Sequence, residues 1–487
     1  MNNSKQFFNA APGIAGVLLM SMVLVSILTA GGDKYSPKTV GMGRSFTATS
    51  RGLDAVGMNP ANLALDDRNA TVTVNFAPFG FSIGSDLFNY EIYTKFFTGV
   101  PKLDPITGAP VLDAEGNEVR EGRDLTDQDK KDILALFPSG IARTQFGLET
   151  SPIGLSLQIG DFGFAVVPSV QNVVNLDIPE GYMKFMLNGL DKNGSVYDLS
   201  GTAINASSVG EVNFSAAYKI PFSTYEVDEV TVGFGVKYLV GLAYIITDRY
   251  NSSITSSPLR TTPDGNGNLT DLNANFDFLQ FTAVPNEDAP EPVGSGLGFD
   301  VGVSGMLYNT VRFGLSVTDI GSITWDKETK AVIGNANLTI YSIADKDVQD
   351  SLANAFKGKT IDTTGFTFDL PTQLHAGVAV QLDDVIEDLP FRWLVAADLH
   401  LGFNEVAGNT KIAQYSLGME LDPLAGWLPL RTGIMVGGRE RFAWSMGFGI
   451  HLANTFDLDF ATQSIAIVTN PETFRTGSFT MGMRLRL

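Results

Sequence analysis

The 487 residues contain no cysteine. That excludes a disulfide scaffold, thiolate-bound zinc, thiol catalysis and an N-terminal lipoprotein anchor. Histidine is nearly missing too: His375, His400 and His451 lie far apart and form no ligand-spaced pair, so neither a metal nor another cofactor is expected. Positive charge is in deficit, 33 basic against 53 acidic residues for a formal net charge of −20. Nucleic-acid binding rests on Lys and Arg neutralising phosphates, and docking on an anionic membrane surface needs the same residues, so both are disfavoured. Long apolar runs are absent beyond residue 30, which leaves no membrane-spanning helix there.

The one apolar run is at the start. Lys5, an apolar stretch from Ile14 to Leu28 and the small residues Ala30 to Gly32 have the layout of a secretory signal peptide over 1–32. Cleavage fits after Gly32 or after Ala30; a single N-terminal membrane anchor is the other reading, although the run is short for a span. An exported chain is then soluble outside, or enters a membrane by something other than helices.

What the sequence does have is alternation. In "RFAWSMGFGIH", Phe442, Trp444, Met446, Phe448 and Ile450 share one face, and Arg441, Ala443, Ser445, Gly447, Gly449 and His451 the other. Successive side chains of a strand point to opposite faces, so one face is apolar and the other small or polar. The last strand repeats this, with Phe479, Met481, Met483, Leu485 and Leu487 on its apolar face. A soluble sandwich, with apolar faces inward, and an outer-membrane barrel, with apolar faces on lipid, both predict such alternation.

Loop lengths separate the two. The pattern predicts strands near 69–80, 142–159, 162–176, 209–219, 229–250, 295–308, 311–325, 372–382, 391–402, 411–421, 428–437, 441–451, 455–467 and 477–487. That is about fourteen, an even number as single-chain barrels have. Connections after even strands are short (Gly160-Asp161 and Asn309-Thr310 are tight turns), whereas the long ones, 81–141, 177–208, 251–294 and 326–371, all follow odd strands. A barrel with short turns on one side and long extracellular loops on the other has this parity. The expectation is an all-β, transmembrane antiparallel up-and-down barrel over 69–487, in the bacterial outer membrane. "NANFDFLQFTAV", 273–284, has strand character but is placed inside the third long loop, because counting it in the wall spoils the parity. Short helices are expected after the N-cap Thr126 and over 347–356.

Between the leader and the first strand lies "GMGRSFTATSRGLDAVGMNPANLAL", Gly41 to Leu65. It is rich in small residues, keeps no period and cannot make its own core. A barrel of about fourteen strands leaves a bore that wall side chains do not fill. The expectation is therefore a luminal plug over 33–68; a loose linker is the alternative, against which Leu53, Val56, Met58, Leu63 and Leu65 are unusually apolar.

The segment, followed at once by the strand "NATVTVNF", resembles the N-terminal hatch of the long-chain fatty acid transporter (FadL) family, through the small-residue approach Ala48 to Ala55 and the Asn59-Pro60-Ala61 box. The Gly41-Met42-Gly43-Arg44 start and the hairpin Gly296 to Trp325 resemble the FadL-like barrels of Bacteroidota-type bacteria, which include the type IX secretion shuttle barrel. The resemblance implies a fourteen-stranded plugged barrel that passes hydrophobic compounds, fatty-acid-like, aromatic or alkane, inward and out laterally where a strand kinks. Pro152 with Gly154, and Pro168, interrupt strands two and three; they read equally as such an opening or as rim bulges. The chain ends in Leu487 where many such barrels end in Phe. Lumen-facing polar residues are Asp300, Arg312, His375, Asp398, His400, Arg431 and His451. Asp398, His400 and His451 read as scattered on separate strands without a Ser-His-Asp or paired-carboxylate motif, so an enzyme is not expected. Expected partners are the bilayer and its outer-membrane lipids, the outer-membrane assembly machinery and a hydrophobic small molecule. A non-transporting barrel that binds proteins, or assists secretion, through its long loops is the competing reading.

Overall fold

A computed structural model describes residues 36–487, apart from 88, 97, 114–115, 123, 189–193, 223, 259, 262–267, 270–271, 287–290, 341–345, 425, 453–454 and 466–474. The expected signal peptide, 1–32, lies outside the described residues.

Fourteen strands form the wall. They are β1 (Val72–Ser85), β2 in two pieces (Ile141–Thr150 and Ile153–Ile159), β3 (Phe162–Pro179), β4 (Ala203–Ile220), β5 (Val227–Tyr250), β6 (Gly294–Leu307) and β7 (Val311–Trp325). The rest are β8 (Gln373–Gln381), β9 (Arg392–Gly402), β10 (Gln414–Asp422), β11 (Leu430–Gly437), β12 (Arg441–Leu452), β13 (Phe456–Thr462) and β14 (Thr476–Arg486). Each pairs antiparallel with the next, and β14 pairs back onto β1 from Thr73↔Arg486 to Gly84↔Thr476. Closure removes every edge, so the backbone needs no water for its hydrogen bonds. The parity expected from loop lengths is the parity of this wall. The segment 273–284 is a strand, Leu272–Ala283, outside the fourteen: it pairs with the far end of β5 and with Thr329–Ile340 in the next long loop.

The wall is apolar outside. Phe442, Trp444, Phe448 and Ile450 on β12 are exposed, as are Phe234, Phe299, Leu417 and Phe479 elsewhere, while Ser445, His451, Asp300 and Arg431 are buried. In water this arrangement would strand a large apolar surface; in a bilayer it is the lipid face. The fold is a membrane β-barrel. Charges on such a face would cost roughly 2–4 kcal/mol each for Lys or Arg at the midplane, which accounts for their placement inside or in loops.

Above the long-loop rim the chain builds a second small core. Tyr197, Leu199, Phe276 and Phe278 are buried there with Ala355 of a helix, Lys346–Lys357. The other expected loop helix is Asp127–Leu134. Its N-cap Thr126 accepts from the Asp129 N–H while the Asp129 carboxylate accepts from the Thr126 N–H, which satisfies two donors of the first turn.

Candidate functional site

Residues 36–68 lie against the inner face of the wall and travel round it. A short helix, Pro37–Gly41, packs on β11 to β14; Gly52–Ala55 packs on β1 to β3; Pro60–Ala64 packs on β2 to β6. Wall glycines make the approach. A Cβ on Gly433 would sit 2.3 Å from the Met42 carbonyl carbon, one on Gly233 2.3 Å from the Ala61 N, and one on Gly163 1.9 Å from the Leu63 O. On the segment's side Gly43 has φ +62, with Gly433 backbone 2.9 Å from where its Cβ would be, so neither residue tolerates a side chain.

The Asn59-Pro60-Ala61 box has a definite structural role. Asn59 caps the short helix by accepting from Ala61 N and donates through Nδ2 to Ser304 Oγ at 2.9 Å and Val303 O at 3.2 Å on β6. Arg44 O is 3.1 Å from His400 Nε2, and Asp398 Oδ2 accepts from Phe46 N (2.9 Å) and Thr47 N (2.8 Å). The small-residue segment is thus held by hydrogen bonds to the wall and by apolar packing on it, Leu53, Val56 and Leu63 against Ala165, Val167 and Ala217, and Met42 and Phe46 against Ala379 and Ala396.

At the short-turn end the hold is ionic. Arg484 on β14 grips Asp54 through two hydrogen bonds, and Lys38 lies 3.5 Å from Asp54 and 3.6 Å from Asp457. Arg486 bridges Asp67 (3.2 Å) and Asp457 (2.5 Å). Arg431 spans Glu420 and Asp459 at 2.5 and 2.6 Å, and His451 Nε2 faces Asp459 at 3.1 Å. Burial pushes the Asp54 carboxyl up, but Arg484 and Lys38 outweigh it and hold the group below the ordinary carboxylate range. His451, Asp457 and Asp459 have ligand-like spacing, yet both carboxylates are already held by Arg and Lys.

The histidines correct the expectation of a scattered set. Asp398 and His400 are two apart on one strand, β9, so strand periodicity puts them on one face. His375 and His400 are register partners across β8 and β9, with Nδ1 atoms 2.6 Å apart, and His375 Nε2 lies 3.0 Å from Thr318 Oγ1. A hairpin brings together residues that look remote in the sequence. Asp300 accepts from the Asp319 N–H and lies 3.1 Å from the Lys237 Nζ, whose other neighbours are Asp319 at 2.6 Å and Glu211 at 3.8 Å. Arg312 pairs with Glu229 at 3.2 Å, near the short turns.

Strand two, expected over 142–159 with an interruption at Pro152 and Gly154, is in two pieces, Ile141–Thr150 and Ile153–Ile159. Ladder pairing of β2 with β3 ends at Thr150↔Val170 and resumes at Leu155↔Val166. Four residues of β2 face three of β3, and the neighbouring prolines bring no donors. Ser151 substitutes, its Oγ donating to Pro168 O at 2.6 Å and its N–H to Pro78 O at 3.2 Å. β1 slips in register against β14 between Phe76 and Phe79, beside Pro78. Three adjacent strands therefore carry a proline at one seam. Gly154 sits at its inner edge, 3.4 Å from Leu53 of the segment if a Cβ is built. Pro78 was not singled out from the sequence, although it too interrupts an alternating run. A small pocket opens on the inner side, lined by Pro78, Ser151, Lys38, Asp54 and Arg484 among others.

On the long-loop side lies a chamber of different chemistry. Its walls include Val209, Leu239, Tyr244, Ile323, Trp325, Phe368 and Leu370, with Glu211, Asp319 and Asp369 beside them. Tyr244 and Trp325 stack with ring centroids 4.8 Å apart, and Phe368 lies 5.4 Å from Tyr244. The sequence does not reveal it, because a bulge in the pairing of β4 with β5, between Ser208 and Val209, turns Tyr244 inward out of phase with Leu239. Gln171 lines the chamber and Pro168 the seam, on the same strand β3.

Among solved structures the chain is similar to the Ralstonia pickettii toluene transporter TbuX, with 13% identity, a TM-score of 0.46, and coverage of 93% of this chain and 98% of that one. It is similar also to the P. putida toluene transporter TodX (12%, TM-score 0.43, 93% and 98%) and to a Pseudomonas aeruginosa FadL homologue (11%, TM-score 0.41, 94% and 99%). No curated protein matches in sequence. The family model of DUF5723, a family of unknown function, matches residues 111–481, which is most of the wall and its loops, and the chain belongs to that family.

Proposed function

We propose that the protein is an outer-membrane channel for passive entry of apolar small molecules. The observation that carries this reading is the chamber whose walls include Tyr244, Trp325 and Phe368 on the inner side of the wall. Concave sites walled by aromatic and aliphatic side chains, with a few polar groups, are the usual form of small-molecule sites. A ligand enters from the long-loop side, rests against the stacked rings, and is stopped below by residues 36–68, which act as a plug. Its exit is sideways through the seam around Ser151, Pro152 and Pro168, where ladder hydrogen bonds are missing and the wall parts at the least cost.

Purified protein in liposomes tests the reading. Transfer of toluene or benzyl alcohol into the vesicles is expected to exceed that of protein-free liposomes and of liposomes holding the Trp325→Ala variant, with no comparable gain for glucose. Equal transfer with and without protein overturns it.

A further inference from the structure

The contact between His375 and His400 has its protons fixed by the groups at either end. Arg44 O, 3.1 Å from His400 Nε2, can only accept, so that nitrogen carries a proton. A neutral His400 then has a bare Nδ1, and the 2.6 Å contact is the His375 Nδ1–H donating to it. This leaves His375 Nε2 bare, 3.0 Å from Thr318 Oγ1, whose hydroxyl donates. The hydrogen bonds run one way, from β7 through both rings to the backbone of residues 36–68. The two rings are neutral tautomers of opposite kind.

One added proton fits this chain by reversing it. His400 Nδ1–H then donates to His375 Nδ1, and His375 Nε2–H to Thr318 Oγ1. A second proton does not fit, because two N–H groups would face each other across 2.6 Å. Both would belong to charged rings shielded from water, 3% and 7% exposed. One ring must then leave its outer partner. Thr318 is fixed in the ladder of β7 with β8. Arg44 is on no strand and is held at φ +68, a strained conformation for a residue with a side chain. The Arg44 end is the weaker one. The charged groups beside the rings are Arg44 itself and Asp398, whose Oδ2 lies 3.9 Å from His400 Nε2 and accepts from Phe46 N and Thr47 N. The register partners Ser316 on β7 and Gln414 on β10 are uncharged, and Asp319, next to Thr318, pairs with Lys237.

Resting on the reading of residues 36–68 as a plug, we infer that the His375–His400 pair is an acid-sensitive latch on it. The latch holds the segment while the pair carries at most one extra proton, and it releases Arg44 when both rings are protonated. Buried imidazoles at a contact between two elements are the usual means of such a response.

The chain has three histidines, so labelling them with nitrogen-15 gives three signals that single substitutions assign. In lipid at pH 8, magnetic resonance is expected to show His375 as the Nδ1–H tautomer and His400 as the Nε2–H tautomer. In planar bilayers the conductance of the full-length protein is expected to rise several-fold as pH is lowered from 8 to 5. His400→Gln, whose amide reaches Arg44 O and takes up no proton, is expected to stay low throughout. Asp398→Asn, which removes the other titratable group beside the rings, is expected to keep the rise. Like tautomers on the two rings overturn the inference, and that measurement on the parent protein stands even if His400→Gln fails to assemble. A rise that His400→Gln shares, or that Asp398→Asn abolishes, also overturns it. If the parent is flat with pH while Asp54→Ala conducts more than the parent at pH 8, the latch falls and the plug stands. If Asp54→Ala matches a flat parent, both fall.

Discussion

Arg484, in the last strand, holds Asp54, in the segment that precedes the first, through two parallel hydrogen bonds of 2.6 and 2.7 Å. The contact spans 430 residues of chain and ties the luminal segment to the strand that closes the barrel. Both side chains are shielded from water, 7% and 4% exposed. Removing one partner of such a pair strands the other charge, at roughly 3–5 kcal/mol. Asp54→Ala is therefore expected to loosen residues 36–68 while the wall persists. In planar bilayers the variant should show larger and noisier conductance than the parent, with an unchanged strand signal in circular dichroism.

The same pair gives a pH dependence with a definite sign. The folded-state carboxyl of Asp54 lies below its ordinary value of 3.8. Its contribution is therefore fully present above about pH 4 and is lost as pH falls through the lower folded value. Between pH 5 and 8 this pair predicts no change in thermal stability, and below pH 4 a decline that Asp54→Asn does not share. Melting curves of the detergent-solubilised protein across that range check it.

Wall glycines predict a steric effect. A valine at Gly433 would drive its Cβ into the Met42 backbone, at 2.3 Å, an overpacking that typically costs about 1–3 kcal/mol. Because the clash is with the segment and not with neighbouring strands, Gly433→Val should leave the barrel assembled and displace the segment. Raised sensitivity of cells to a bulky hydrophilic antibiotic is the readout, and the outward-facing Ile434→Val is the control.

The seam predicts a loss of flux from a repair of the wall. Pro168 carries no N–H toward β2, and Ser151 Oγ takes up its carbonyl. Replacing Pro152 and Pro168 together with valine restores two ladder donors. Toluene transfer into liposomes is expected to fall several-fold with stability equal or higher; an unchanged rate would place the exit elsewhere.

Much of the wall was legible because lipid imposes one rule on every strand. Phe442 to Ile450 alternate for that reason, and the four long connections fall on one parity because the two sides of a membrane differ. The break at Ser151-Pro152 was legible as a kink, and Pro78 was readable by the same signal. What occupies the lumen was harder to read. Gly233, Gly418 and Gly433 are visible in the sequence as small residues, but only the fold shows that Ala61 and Met42 fill the space they leave. His375 and His400 meet through strand register, a relation between two elements that neither element's composition contains. The chamber was hidden for a related cause: a bulge at Ser208/Val209 shifts the phase of β5, so Tyr244 departs from the alternation that fits the first half of that strand.

The most direct test of the account locates the ligand. Crystals of the full-length protein soaked in 4-bromotoluene, measured at the bromine edge, should show anomalous density against Tyr244, Trp325 and Phe368, and that density should vanish in Trp325→Ala. Bromine density confined to the outer, lipid-facing surface of the wall, with the chamber empty, would contradict it.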